Sequence, residues 1–276
     1  MKRADQDRAA YELAREFLLQ LDVPGVTEEL LDAYLHPQAA TDRDYDISRL
    51  YERLLRSAQN ANMRAGVIGK AIGGFSNVGR VLFDFDPQKT LDHYESPEQI
   101  LDRVEVELKP RGKFRRTPRS IWPKYCETIL SAAGFITKFK SGTEFHEWVD
   151  FFDGDARARP ALPMLLAREI DGFGFALACD FLKELGYLNF SKPDVHIKDV
   201  CEGLGLANAR KDYEVFRAIA RIAEAVGESP YCVDKLFWLL GSGYFYNHPE
   251  IGRNGRIGNH KSKFVDYALP KLERAT

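Results

Sequence analysis

The sequence predicts an all-α protein, and three observations carry that reading. Apolar residues recur at helical spacing along most of the 276 residues, as in Ile47, Leu50, Tyr51, Leu54, Leu55 and Ala58, and again in Tyr213, Phe216, Ala220, Ala223 and Val226. Helix-start signals precede such stripes, with proline at the first helical positions after Ser96 and at Pro230. Strand-like alternation is confined to two short runs, Val81–Phe85 and Val104–Leu108, which are expected as short strands if they pair at all.

Taken in order, residues 4–21 place Ala9, Leu13, Phe17 and Leu18 on one helix face. Thr27 with two glutamates then caps a helix through Leu30, Leu31 and Leu35. The helix from Ile47 brings Ser57, Gln59 and Asn60 to its C-terminal end, where Gln59 and Asn60 serve as surface polarity, internal hydrogen-bonding groups or contacts to a partner. Gly66 to Gly79 combines a helix with a loop, and Ser96 starts another helix. A basic loop, Lys109 to Arg119, contains Arg115 and Arg116. The helix over 120–138 carries Ile121, Tyr125, Ile129 and Ala133, and the aromatics Phe139, Phe145, Trp148, Phe151 and Phe152 follow. Such a cluster belongs to a core; Trp122, Trp148 and Phe151 are the rings singled out as candidates to stack on a planar ligand.

The chain is organised around residues 161–206. Leu162, Leu165 and Leu166 form one apolar stripe, and Phe175, Ala178, Cys179, Leu182 and Leu185 form another. Gly172 and Gly174 lie between them, so a tight reversal joins two antiparallel helices and lets the backbone approach another molecule. The second helix opens with amides that have no intrahelical acceptor, which suits an anion. An ordinary αα-hairpin within a bundle needs the same glycines. After Gly186, Pro193-Asp194 opens a further helix with Ile197, Val200, Cys201 and Leu204 inward, so Asp194 is expected as an N-cap. Tyr213 to Val226 and the segment from Pro230 through Trp238 form later helices. A glycine-rich irregular loop spans 241–259, and a last helix covers about 262–273.

Composition sets the class. The chain is 45% hydrophobic and 29% charged, as globular domains are, and has a net charge of −2, so nucleic-acid binding has to rest on local patches. Two are present, residues 109–119 and 253–263. No apolar run approaches the ~20 residues that span a bilayer, and the polar N-terminus does not begin a secretory signal, so a cytoplasmic location is expected. Cys126, Cys179, Cys201 and Cys232 are scattered and are read as reduced and buried, with no metal among their roles.

The central stretch resembles the helix-hairpin-helix DNA glycosylases of the endonuclease III superfamily. Ile170, Gly172, Phe173 and Gly174 match that family's apolar-x-Gly-apolar-Gly hairpin, and Asp194 and His196 match its Asp-x-His. Leu54 to Met63 resembles the helix that brings a glutamine to DNA. Val233 to Gly241, with Trp238, resembles the late tryptophan- and glycine-bearing helix, so the resemblance covers about residues 43–245. It implies two helical subdomains, about 60–190 and about 1–59 with 190–276, and a helix-hairpin-helix motif at the cleft between them. It further implies a monomer acting on double-stranded DNA that contains a damaged or modified base.

By the same resemblance Asp194 is the catalytic carboxylate, and Gly172, Gly174, Gln59 and Asn60 face DNA; the basic loop adds Arg115 and Arg116 as DNA contacts, and Trp122, Trp148 and Phe151 are the candidate rings for the base pocket. His196 is structural. Three departures sharpen the expectation. The lysine of bifunctional members falls at Ala176, which removes the amine needed for a Schiff base. The grouped cysteines of cluster-binding members are absent, which implies no cofactor and a monofunctional, alkylpurine-type enzyme. Leu54 stands where adenine-removing members place a glutamate. Two other readings use the same residues: a helix-hairpin-helix DNA binder without catalysis, which does not need Asp194, and a helical scaffold for another protein. Whether the base is host damage or a modification of phage DNA is open.

Overall fold

A computed structural model describes residues 3–36, 46–60 and 66–274. The end of the glutamine-helix block, Ala61 to Met63, lies outside these described residues. The protein is all-α, in the order α1 (Arg3–Gln20), α2 (Glu28–Leu35), α3 (Ile47–Ala58), α4 (Val67–Ala71), a 3-10 turn (Phe75–Arg80), α5 (Pro87–His93), α6 (Pro97–Arg103), a π-helical segment (Val104–Leu108), α7 (Ile121–Ile136), α8 (Gly142–Asp153), α9 (Ala161–Glu169), α10 (Phe175–Glu184), α11 (Val195–Gly203), α12 (Asp212–Val226), α13 (Pro230–Ser242) and α14 (Lys261–Arg274). Among the described residues there is no strand, only isolated bridges within 244–256.

Both expected strands are helical or turn backbone. At Val104–Leu108 the two ends are buried while Val106 is 68% exposed, which is the i, i+4 pattern of a helix and not the shared face of a strand. The segment continues α6 directly and stops at Lys109, whose φ is +46°. At Val81–Phe85, Phe83, Asp84 and Phe85 all have left-handed backbone, which bends the chain so that Val81, Leu82 and Phe85 are buried together. Helix α5 carries a start signal of the same kind as the one at Ser96: Pro87 in its first turn, and Asp86 accepting the Lys89 amide at 2.9 Å.

The chain divides into two compact units. Residues Ala40–Leu185 form one, and Met1–Ala39 with Gly186–Thr276 form the other. The expected dividing line near residue 59 therefore moves to the N-terminal side of α3. The reason is packing: α3 lies on α7 and α10 and shares their core. Two buried tyrosines tie α3 to α7 reciprocally. The Tyr51 hydroxyl donates to the Ile129 carbonyl at 2.9 Å, and the Tyr125 hydroxyl donates to the Leu55 carbonyl at 3.0 Å. Burial pushes both phenols well above their usual range, so they remain donors at any working pH.

In the other unit, α1, α2 and α11–α14 enclose a core that includes Leu18, Leu31, Ile197, Ile219, Phe237 and Phe264. The fully buried Asp7 of α1 takes the Arg221 guanidinium of α12 on both oxygens, at 2.5 and 3.2 Å, with Arg3 3.7 Å away. That pairing offsets the cost of burying the carboxylate.

Candidate functional site

The hairpin in the unit formed by residues 40–185 is built from its apolar positions upward. Ile170 and Phe173 are buried, while Asp171, Gly172 and Gly174 face outward. Alternation of buried and exposed positions across the reversal fixes which backbone is presented. Helix α7 anchors it at two points: the Thr128 hydroxyl donates to the Asp171 carbonyl at 2.7 Å, and Ser131 Oγ accepts the Asp171 amide at 2.9 Å.

The two glycines have different jobs. Gly172 has φ +70°, and a Cβ there would meet Thr128 Oγ1 at 2.9 Å, so both backbone and space require glycine. Gly174 has φ −70° and ψ 168°, and a Cβ there would touch nothing within 4 Å. Its absent side chain leaves open the approach to the first turn of α10. Gly174 caps that helix with no side-chain hydrogen bond, its carbonyl accepting from Leu177 at 2.9 Å and Ala178 at 3.0 Å. Ala176, two positions on, is half-buried and offers no amine.

The remaining candidates of this unit are placed less uniformly. Gln59 is buried, and its Oε1 accepts the Gly69 amide at 3.2 Å; Asn60 Oδ1 accepts the Gly66 amide at 3.0 Å. Their side-chain oxygens therefore tie the end of α3 to Gly66 and Gly69 at the start of α4, which is internal hydrogen bonding. Arg115 is exposed. Arg116 is bound by Asp102 and, at 2.5 Å, by Glu105, so part of the basic loop's charge is neutralised where it stands. Arg111, Lys113 and Arg119 keep the loop positive on its exposed side.

The three candidate pocket rings are not gathered in one place. Trp122 is buried against Phe114 and Tyr125, at centroid distances of 5.8 and 6.4 Å. Trp148 packs among Phe135, Phe139, Phe145 and Phe152. Phe151 points outward, 74% exposed, with an edge contact to Phe152.

In the unit containing α11, Asp194 is the N-cap that its sequence position implies. Both cap bonds land on one oxygen: Oδ1 accepts the His196 amide at 2.8 Å and the Ile197 amide at 3.2 Å. Oδ2 takes no part in the cap. A short side chain held in this way presents a carboxylate oxygen in a fixed direction at a helix N-terminus, where negative charge is favoured.

Sequence reasoning missed the residues that fix this carboxylate. Asp234 of α13 is buried, and its Oδ2 accepts the Lys192 amide at 2.7 Å, holding the strand of chain that leads into Asp194. The His196 ring packs edge-on against Trp238 at 6.5 Å. It also fills the space where Gly241 would carry a side chain, since a Cβ there would come within 2.5 Å of Nδ1. The Asp-x-His segment and the tryptophan-glycine helix are thus parts of one packing arrangement.

The cysteines are all buried, Cys126 and Cys179 in one unit and Cys201 and Cys232 in the other. Burial pushes the Cys201 thiol up to about 12.

The second basic loop is partly engaged. Arg256 lies over the Tyr244 ring at 4.3 Å, and Lys261 pairs with Asp199.

No protein-family model matches the chain, and no curated protein matches it in sequence. Two solved structures of one archaeal protein resemble it in shape. One is the 8-oxoguanine glycosylase/lyase of Methanocaldococcus jannaschii in complex with a 15-mer DNA containing 8-oxoguanine, with a TM-score of 0.51 and 18% identity over 82% of this chain and 94% of that one. The other is the 8-oxoguanine DNA glycosylase of the same organism, with a TM-score of 0.49 and 17% identity over 83% and 92% of the two chains. With the exposed Gly172–Gly174 hairpin and the Asp194 cap in place, the chain shares the fold of that 8-oxoguanine glycosylase/lyase.

Proposed function

We propose that this protein is a monofunctional DNA glycosylase, hydrolysing the N-glycosidic bond of a damaged or modified base in double-stranded DNA and leaving an abasic site. The observation that carries the reading is Asp194, capped through Oδ1 alone and braced from beneath by Asp234 and His196. A residue needed only as a cap does not require a carboxylate, because asparagine caps as well.

The chemistry follows from the groups present. Reaching a stacked base requires flipping it out, at a few kcal/mol, offset by contacts to phosphates and by stacking of the flipped base. The first amides of α10 and the exposed cations Arg111, Lys113, Arg115 and Arg119 supply the phosphate contacts. As the glycosidic bond breaks, positive charge grows on the sugar. One ionised carboxylate about 4 Å from that charge contributes roughly 4 kcal/mol at an effective dielectric near 20. Asp194 also orients or deprotonates the attacking water. The M. jannaschii protein is named a glycosylase/lyase; here Ala176 takes the position of the family's amine, so the strand stays uncut after base release.

The test is base release from a panel of duplexes carrying oxidised, alkylated and deaminated bases and bulky phage-type modifications, 8-oxoguanine among them. Release of one class, with strand cleavage only after alkali, supports the proposal. Duplex binding without release from any member would leave a non-catalytic binder.

A further inference from the structure

We propose that the unit holding Asp194 also contains a zinc site, formed by His36, Glu228 and Cys232, that fastens the end of α2 to the start of α13. The three ligand atoms, an imidazole nitrogen, a carboxylate oxygen and Sγ, all lie within 4.8 Å of one another. Zinc bond lengths of roughly 2.0–2.3 Å put tetrahedral ligands roughly 3.3–3.8 Å apart, so the widest pair has to close by up to about 1.5 Å and the His36–Glu228 pair to open by about 0.4 Å. Two of the three side chains are free to make that move: the His36 side chain is 47% exposed and that of Glu228 is 27% exposed.

Each ligand is already oriented. His36 Nδ1 lies 2.9 Å from the Asp32 carbonyl, the partner that fixes a ring with Nδ1–H and leaves Nε2 to the metal. Nε2 is hydrogen-bonded to Glu228 Oε2 at 2.9 Å, so these two ligand atoms already face each other. Glu228 and Cys232 are placed by the turn into α13, which Ser229 caps by accepting the Cys232 amide at 3.2 Å. The Cys232 thiol is buried, donating to the Leu35 carbonyl at 3.2 Å and accepting from Ser229 Oγ at 3.1 Å.

The donor set selects the ion. Sulfur, nitrogen and one carboxylate oxygen suit Zn²⁺ and are poor for Mg²⁺ or Ca²⁺, which require oxygen shells. Three protein ligands leave a fourth position for water. On binding, the metal replaces the thiol proton of Cys232 and any proton on Nε2, and both pass to buffer. The competing account is a surface ion pair between His36 and Glu228 beside an unrelated buried thiol.

The experiment uses the untagged full chain, stripped with a chelator and titrated with zinc chloride by calorimetry, with cobalt(II) absorption in parallel. The expected result is a single Zn²⁺ per chain and a rise in Tm. Tetrahedral cobalt bands should accompany a sulfur-to-metal charge-transfer band. His36→Ala and Glu228→Gln, both at solvent-reaching positions, should fold as the parent does and each weaken zinc binding by about tenfold or more. No zinc binding, a cobalt spectrum without the thiolate band, or undiminished affinity in His36→Ala would each overturn the proposal. Because neither substitution touches the DNA-binding or Asp194 segments, base release tests the proposed function independently.

Discussion

Gly241 lies flat against the imidazole of His196, so close that a Cβ at residue 241 would come within 2.5 Å of Nδ1 and 2.6 Å of the histidine Cβ. The contact joins the late helix α13 to the segment that begins at Asp194, and Trp238 of the same helix packs edge-on against the ring at 6.5 Å. Gly241→Ala should therefore force His196 to move and cost on the order of 1–3 kcal/mol. Because Oδ1 of Asp194 is bonded to the His196 amide, base release should fall by more than the loss of stability explains when assayed well below the mutant's Tm. Unchanged Tm and unchanged turnover would show that the helices slide past each other and that the contact does not position Asp194.

The hairpin allows a separation that its two glycines make unusually clean. Gly172→Ala meets positive φ and the Thr128 hydroxyl, so it should lower stability by about 1 kcal/mol or more. Gly174→Ala meets ordinary φ and open space, so Tm should hold within a degree or two. Its methyl group nevertheless stands in front of the α10 amides, and duplex affinity should drop. Equal affinity for the Gly174→Ala protein and the parent, measured at low salt, would remove the hairpin from the DNA interface.

How much of this was legible in the sequence depends on the range of the interaction. Asp194 as a cap is local: a short polar residue after Pro193 and before an apolar stripe announces itself. The reversal at Gly172 and Gly174 is local too, but the lack of room for a side chain at 172 comes from Thr128, 44 positions upstream of Gly172 and on another helix. Asp234 and Lys192 meet across 42 positions, and nothing in either residue's neighbourhood says so. The same holds for His36 and Glu228, 192 positions apart. Val104–Leu108 was misread for a different reason. Its alternation is real, but helical spacing also places Val104 and Leu108 together, and the exposed Val106 decides for the helix. At Gln59 and Asn60 the polar side chains were visible, yet their acceptors were spent on Gly69 and Gly66.

The Asp7–Arg221 pair gives a prediction about stability alone. Arg221→Leu leaves a fully buried carboxylate with only Arg3, 3.7 Å away, and should cost about 3–5 kcal/mol. Asp7→Asn/Arg221→Leu removes both charges and should recover a large part of that loss. Denaturant unfolding of the parent, the two single variants and the double variant measures the coupling directly. Strictly additive losses would mean that the pair contributes nothing beyond its separate contacts.

Ala176 fixes the expected chemistry after base release. Borohydride added during turnover should trap no protein–DNA adduct, and the product strand should remain whole until treated with alkali. A trapped adduct would mean that a lysine elsewhere in the chain attacks the sugar, and mass spectrometry of the adduct would identify it.

Asp194→Asn isolates the charge from the cap. Asparagine keeps an oxygen for the amides of His196 and Ile197 and almost the same volume, so Tm should change little. What it removes is the negative charge on the oxygen outside the cap. If that charge faces the sugar cation, losing roughly 4 kcal/mol of stabilisation slows base release by about a thousandfold. Duplex binding should persist or tighten, because a negative group near phosphates has been neutralised. Asp194→Ala removes cap and charge together and should be both less stable, by about 1 kcal/mol, and as slow as the asparagine variant. A folded Asp194→Asn protein that releases base at the parental rate would reduce Asp194 to a helix cap and pass the catalytic role to another carboxylate.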